Sequence, residues 1–246
     1  MTKVFVHGVP ETSLLWGELR EQVSGDSVAL QLPGFGVPLP DGFVPTKETY
    51  AAWLAEELRK IDGPIDLVGH DWGALLTLRV ATLGDVPLRS WAVDVAGVFD
   101  PNYVWHAWAA ALLPEGKGEA ILRERRTGSI DDAATFMINS GVPTSAALAM
   151  ATAHDEVMSR CILGLYRSAV PNVSATWGTQ AQTPTSSPGL VLIATGDRVD
   201  NETAARETAE RLGARVAVLP GGTHFWMFDP TGTAAAALAD FWASLP

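Results

Sequence analysis

Short β-branched or apolar runs recur along this chain at residues 3–6, 27–30, 65–68, 91–95, 190–194 and 215–219. Between most of them the apolar residues repeat at helical spacing, as at Ala51, Leu54, Leu58 and Ile61, after which Gly63 and Pro64 supply a stop signal. Strands that alternate with helices leave few solutions. They pair in parallel, because each crossover helix must pack back on the sheet, and the helices then cover both faces. The spacing therefore predicts an α/β fold with a compact, mostly parallel sheet of about six strands. The exception is the stretch 99–188, which carries helical patterns such as Met158, Ile162, Leu165 and Ala169 but no convincing strand. The expected organisation is one core domain, 1–98 with 189–246, and a helical lid, 99–188, that ends in a Thr/Ser/Pro-rich connector.

The chain has 246 residues, 47% of them hydrophobic, which is enough for one large core, and no segment reads as an interdomain linker. A formal charge of −11 argues against nucleic-acid and anionic-membrane surfaces, which would repel an acidic protein. A small neutral substrate fits better. Cys161 is the only cysteine, so no internal disulfide can form. The opening apolar run, 4–6, is too short for a signal peptide or a membrane span, and no later run is long enough to cross a bilayer. The expectation is a soluble protein of the cytoplasm.

Chemistry enters at Gly69-His70-Asp71-Trp72-Gly73, which follows the third strand and precedes an apolar helical stretch. Two glycines flanking a central residue on a strand-to-helix turn read as a nucleophile elbow, where larger side chains would collide with the neighbouring strand or helix. The central residue here is an aspartate. A carboxylate is already ionised at neutral pH and can displace a leaving group from an alkyl carbon, so the expected reaction is hydrolysis at saturated carbon.

With this elbow in place, the strand–helix pattern resembles the α/β-hydrolase fold over nearly the whole chain apart from the lid. Within that superfamily the aspartate is similar to the branch of epoxide hydrolases and haloalkane dehalogenases. One departure is visible: the pair of antiparallel strands that usually precedes the His-Gly strand is missing before His7 and Gly8. The resemblance implies a triad in the order nucleophile, acid, histidine: Asp71, Asp197 and His224. Asp197 lies in Thr-Gly-Asp just past the fifth strand, and Asp200 is the near alternative. His224 lies in Pro-Gly-Gly-Thr-His-Phe-Trp after the last strand. The implied oxyanion donors are the backbone N–H groups of Trp72 and Val9, with Pro10 holding the latter loop through a cis bond. His7 and His70, each beside a glycine at a strand end, are expected to brace loops, and His106 and His154 take no strong role.

The electrophile turns on how the departing atom is stabilised. Halides leave without a proton and rest on Trp or Asn N–H donors, whereas an alkoxide needs an acidic O–H, which epoxide hydrolases usually supply from lid tyrosines. Val9 stands where dehalogenases typically carry Asn. Tyr166, in a Leu-Tyr-Arg segment similar to one late in the epoxide hydrolase lid, is the expected proton donor, while Tyr50 falls in the helix before the elbow. Tyr103 lies at the lid entrance beside Trp105 and Trp108, either of which offers an indole N–H instead. These residues, with Trp177 and Trp226, suggest a hydrophobic, aromatic-accepting pocket. Fluoroacetate dehalogenases place arginines just after the nucleophile, where this chain has Trp72 and Leu75, so a carboxylate substrate is disfavoured. No compact metal-ligand spacing appears, and no cofactor or metal is expected. The reading is an epoxide hydrolase, with haloalkane dehalogenation as the alternative and a non-catalytic ligand-binding member of the fold as a third possibility.

Overall fold

A computed structural model describes all 246 residues. Six strands form one sheet, β1 (Thr2–Val6), β2 (Ser27–Leu30), β3 (Ile65–Gly69), β4 (Ser90–Val93), β5 (Gly189–Ala194) and β6 (Arg215–Leu219), in the order β2-β1-β3-β4-β5-β6. Every pairing is parallel. β1 and β3 lie side by side near the middle, so their carboxyl ends bring the His7-Gly8 loop and the elbow together. That is where an open parallel sheet presents its crevice.

On the chain's own order, the remaining helices are α1 (Gly17–Gln22), α2 (Lys47–Arg59), α3 (Trp72–Leu83), α4 (Ala107–Leu112), α5 (Lys117–Thr127), α6 (Ile130–Asn139), α7 (Thr144–Thr152), α8 (Glu156–Ser168), α9 (Trp177–Gln180), α10 (Glu202–Leu212) and α11 (Thr233–Ala243). Thr46, Ser129, Asp155 and Asn201 accept backbone N–H groups at the starts of α2, α6, α8 and α10, satisfying donors that the first helical turn leaves free. Helix α3 is apolar almost all round and buried along most of its length, as the helix after a buried strand must be. Two apolar clusters cover the two faces of the sheet: Val4, Val6, Leu67 and Val93 point into one, Phe5, Val68 and Ala92 into the other. The alternation follows from the two-residue period of a strand buried on both sides.

Two element ends differ from the spacing. Helix α2 stops at Arg59, leaving Ile61 outside it but still packed on the core. Strand β4 stops at Val93, because Asp94 turns its side chain into the site and Val95 takes a positive φ of 40°. Between β4 and β5 the regular elements are helices α4–α9 and short 3-10 turns, with no strand. No helix is long and apolar enough to cross a membrane.

Candidate active site

Asp71 sits at the sharp turn from β3 into α3 with φ 50° and ψ −121°. A non-glycine residue in such a region costs on the order of 1–3 kcal/mol and persists only where its surroundings enforce it. Here the enforcement is steric and polar. A Cβ on Gly73 would lie 2.2 Å from the Val6 carbonyl oxygen, and one on Gly8 would lie 2.3 Å from Asp71 Oδ1. Both close approaches are open only to glycine. The His70 N–H donates to the Val6 carbonyl at 3.0 Å, and the Asp71 N–H donates to Asp94 Oδ1 at 3.1 Å.

The carboxylate of Asp71 has two differently committed oxygens. Oδ1 accepts the Val9 N–H at 2.9 Å, from a loop whose Val9-Pro10 bond is cis. Oδ2 faces His224 Nε2 at 4.0 Å. His224 Nδ1 pairs with Asp197 Oδ2 at 2.8 Å, and Asp197 Oδ1 takes the Val199 N–H at 2.8 Å. Asp200 instead turns to Gly97 and Asn201, whose N–H groups reach its Oδ1 at 2.9 and 2.8 Å. The imidazole is thus held by Asp197.

Burial pushes the Asp71 carboxyl up to about 6, with His224 acting in the opposite direction. For His224, burial and the nearby His70 oppose the imidazolium. The Asp197 hydrogen bond and the charges of Asp197 and Asp71 prevail and raise its pKa. Asp197 is lowered: burial works against its charge, but the bond and charge of His224 outweigh it. A nucleophilic Asp71 must be ionised, so its reactive fraction falls as pH drops through about 6. We expect the rate of covalent labelling of Asp71, measured in single turnovers, to lose about tenfold per pH unit below that point. An unchanged rate down to pH 4 would contradict the role.

A second polar layer lies beneath Asp71, and two of its members, Glu11 and Asp94, were not singled out by the sequence reading. Glu11 is fully buried; Oε2 accepts the Gly8 N–H at 2.9 Å and Oε1 lies 3.2 Å from His70 Nε2. The other ring nitrogen of His70 pairs with Asp94 Oδ2, which also accepts the Trp226 indole N–H at 2.6 Å. Burial disfavours a charged His70, but Asp94 and Glu11 together hold its pKa well above the ordinary value. One imidazole ring lying between two carboxylates therefore ties the His-Gly loop to the elbow. Asp94 carried a usable signal: it follows directly on the carboxyl end of β4, as Asp197 lies three residues past that of β5. Glu11, His70 and His224 bring possible metal-ligating atoms within 4.8 Å of one another, but the first two are already engaged in this ion pair. His7 braces its loops through the Gly8 carbonyl at 2.8 Å and the Leu32 N–H at 3.1 Å.

A cavity of about 800 Å³ opens onto Asp71 and His224 and takes in Tyr166, Trp108 and Val9. Tyr166 packs edge-on against Trp72 at 5.2 Å, Trp105 at 5.2 Å and Trp108 at 5.8 Å. Burial, then the charge of Asp71, raises its phenol well above the ordinary range. Tyr103 and Trp105 stand behind this wall, and the Tyr103 hydroxyl and Trp105 Nε1 are buried without a hydrogen-bond partner. Of the four expected tryptophans only Trp108 lines the cavity; Trp105, like Tyr103, lies behind it, and the other two are farther off. Trp177 lies under the cations of Lys47 and Arg79, 4.9 and 5.5 Å from its ring, and Trp226 is spent on Asp94. Tyr50 donates to the Pro33 carbonyl at 2.7 Å, away from the cavity.

Among solved structures, the chain is similar to Cfl2 from Burkholderia cenocepacia, at 22% identity and TM-score 0.78 over 98% of this chain and 87% of that one. It is also similar to a loop variant of the haloalkane dehalogenase DbeA from Bradyrhizobium elkanii, at 18% identity and TM-score 0.67 over 99% and 90%. E-2-(acetamidomethylene)succinate hydrolase matches at 17% identity and TM-score 0.73 over 99% and 91%. Likenesses this distant speak to the fold. A comparison with curated proteins returns no match. Residues 4–236, however, match the family described as "Alpha/beta hydrolase family", a span that takes in the parallel sheet, the elbow at Asp71 and the histidine loop. The chain belongs to the alpha/beta hydrolase family.

Proposed function

We propose that this hydrolase opens epoxides to vicinal diols through a covalent ester on Asp71. The observation that carries the reading is the division of labour at that carboxylate: Oδ1 held by the Val9 N–H, Oδ2 facing the cavity and His224. Oδ2 attacks an epoxide carbon, the C–O bond breaks, and the departing alkoxide takes the proton of Tyr166. Water then loses a proton to His224 while its oxygen adds to the ester carbonyl. The developing oxyanion on Oδ1 rests on the N–H groups of Val9 and Trp72. On collapse the C–Oδ2 bond breaks and the diol leaves with the former Oδ2 protonated by the His224 imidazolium. The proton remaining on the added water oxygen returns to the Tyr166 phenolate, and that water oxygen stays in the Asp71 carboxylate. The 4.0 Å between His224 Nε2 and Oδ2 suits a base acting through water. Esterification also removes the negative charge of Asp71, one of the influences holding a proton on His224, so the imidazole enters the second step as a readier base. Residues 99–188 serve as the lid that brings Tyr166 over the nucleophile.

A haloalkane dehalogenase is the second reading, and one feature favours it. The Trp72 and Trp105 rings stack at 6.2 Å beside Tyr166, and Trp105 Nε1 has no partner, so one unengaged indole donor lies next to the cavity wall for a halide. Incubating the purified protein with aromatic epoxides and with haloalkanes, and measuring diol against released halide, decides between them. Halide without diol would reverse the order; silence on both panels would favour a non-catalytic binder or a substrate outside the two panels. Tyr166→Phe sharpens the comparison. It removes only the phenolic proton, so epoxide kcat/KM is expected to fall roughly 100-fold or more. Halide release, which needs no proton, is expected to change far less. Equal losses on the two substrate classes would show that Tyr166 is not the proton donor.

A further inference from the structure

Two arginines stand in the wall of the Asp71 cavity, Arg125 from α5 and Arg198 from the loop after β5. Arg59, Arg89, Arg167 and Arg206 each pair with a carboxylate. Arg125 makes no such pair. One of its terminal N–H groups donates to the Ala133 carbonyl at 2.8 Å, and its Nε is buried with no partner. Burial lowers its pKa, the mark of a cation partly stripped of water without an anion in return. Arg198 is exposed at the rim. The acidic groups of the same wall, Asp71 and Asp197, are committed to Val9, His224 and Val199. In a chain of net charge −11, an unpaired guanidinium facing a substrate cavity is a local exception to the overall field.

We propose that Arg125, assisted by Arg198, is an anion-binding subsite, so that the cavity takes amphipathic substrates bearing a carboxylate remote from the reacting carbon. The planar guanidinium offers a fork of donors that matches a carboxylate in two parallel hydrogen bonds. A carboxylate next to the reacting carbon would meet the charge of Asp71, and no arginine follows the nucleophile to offset it; Trp72 and Leu75 stand there. The arginine comes instead from the helical insertion, on a different wall from the nucleophile. Phe136, Trp108 and Phe225 supply apolar surface of the same cavity for the body of such a molecule. This inference deepens the hydrolase reading and rests on it for the position of the reacting carbon.

The test uses unreactive probes, so that binding is read apart from turnover. Binding of 4-phenylbutanoate and of its uncharged amide to the intact protein is measured by calorimetry. The acid is expected to bind at least about tenfold more tightly, the scale of a hydrogen-bonded charge, with the preference shrinking as salt rises. Arg125→Gln is expected to bring the preference below about twofold, Arg125→Lys to keep part of it, and Arg198→Gln to reduce it by less. Because Arg125 also ties α5 to α6, Arg125→Met, which keeps the apolar stem, repeats the measurement should the glutamine variant not fold. Equal binding of acid and amide by the unaltered protein would overturn the proposal, as would a preference that survives loss of the Arg125 charge. An Arg125-dependent preference in a protein that turns over neither epoxides nor haloalkanes would leave the subsite standing and remove the epoxide and haloalkane readings.

Discussion

Asp71→Asn is expected to abolish turnover of every substrate the protein accepts, lowering kcat by roughly 10⁴-fold or more, the scale seen when a catalytic nucleophile is removed. The amide keeps the size of the side chain and can still receive the Val9 N–H through its oxygen, so the elbow, the strained backbone and the close contact with Gly8 remain accommodated. What it lacks is the anionic oxygen. Steady-state assays with aromatic epoxides and haloalkanes, alongside a thermal melt to show that the variant folds, make the comparison. Residual activity within tenfold of the unaltered protein would mean that water attacks the substrate directly. Labelled water gives an independent check, because the covalent route places solvent oxygen in the Asp71 carboxylate during turnover and direct attack does not.

His224→Gln is expected to separate the two half-reactions. Asp71 needs no base to attack, so the first step proceeds, whereas hydrolysis of the ester loses the group that takes a proton from water. The variant should release at most about one equivalent of halide per site, or form no free diol, while the alkylated protein accumulates; the general-base contribution of roughly 10²–10⁴-fold sets how long the ester lasts. Intact-mass spectrometry then identifies the chemistry as well as the intermediate. Ring opening adds the whole mass of an epoxide, because nothing leaves, while displacement adds the mass of a haloalkane less one hydrogen halide. If no adduct forms on a substrate that the unaltered protein consumes, Asp71 is not esterified. A role for His224 in water activation, as opposed to mere support of the fold, predicts that the first-step rate changes little.

The electrostatics bear on both results. His224 is surrounded by Asp197, Asp71 and, on its other side, His70 with Glu11 and Asp94, whose carboxylates raise the His70 pKa. The buried trio lies next to the Asp71–His224 pair, with the His70 and His224 rings 4.5 Å apart. Protonation at His224 therefore depends on charges drawn from the β1, β3, β4 and β5 ends, which is why the two half-reactions should show separate acid limbs. The first follows Asp71 at about 6; the second follows His224, whose pKa is raised in the free protein by Asp197 and Asp71 and loses the Asp71 contribution once the ester forms.

Much of the architecture was legible in the sequence, because strand and helix periods are local properties. Six runs of β-branched and apolar residues alternating with helical spacing left a parallel sheet as the consistent solution, and the strands occur at those runs within a residue or two. The elbow was legible for the same reason: its glycines are required by contacts with the adjoining strand and turn, and those requirements are written within five consecutive residues. Local pattern also placed Asp197 and His224 at strand ends. Only the tertiary structure decided which carboxylate meets the imidazole, since Asp197 and Asp200 are three residues apart on one loop and differ by the direction each side chain takes. It also decided which aromatics face the cavity, drawing Trp177 to Lys47 and Arg79 and Trp226 to Asp94. Glu11, Asp94 and Arg125 gain their significance from partners distant in the chain, or from the lack of one. Periodicity reports which face of an element is buried; it carries no record of what another element brings to that face.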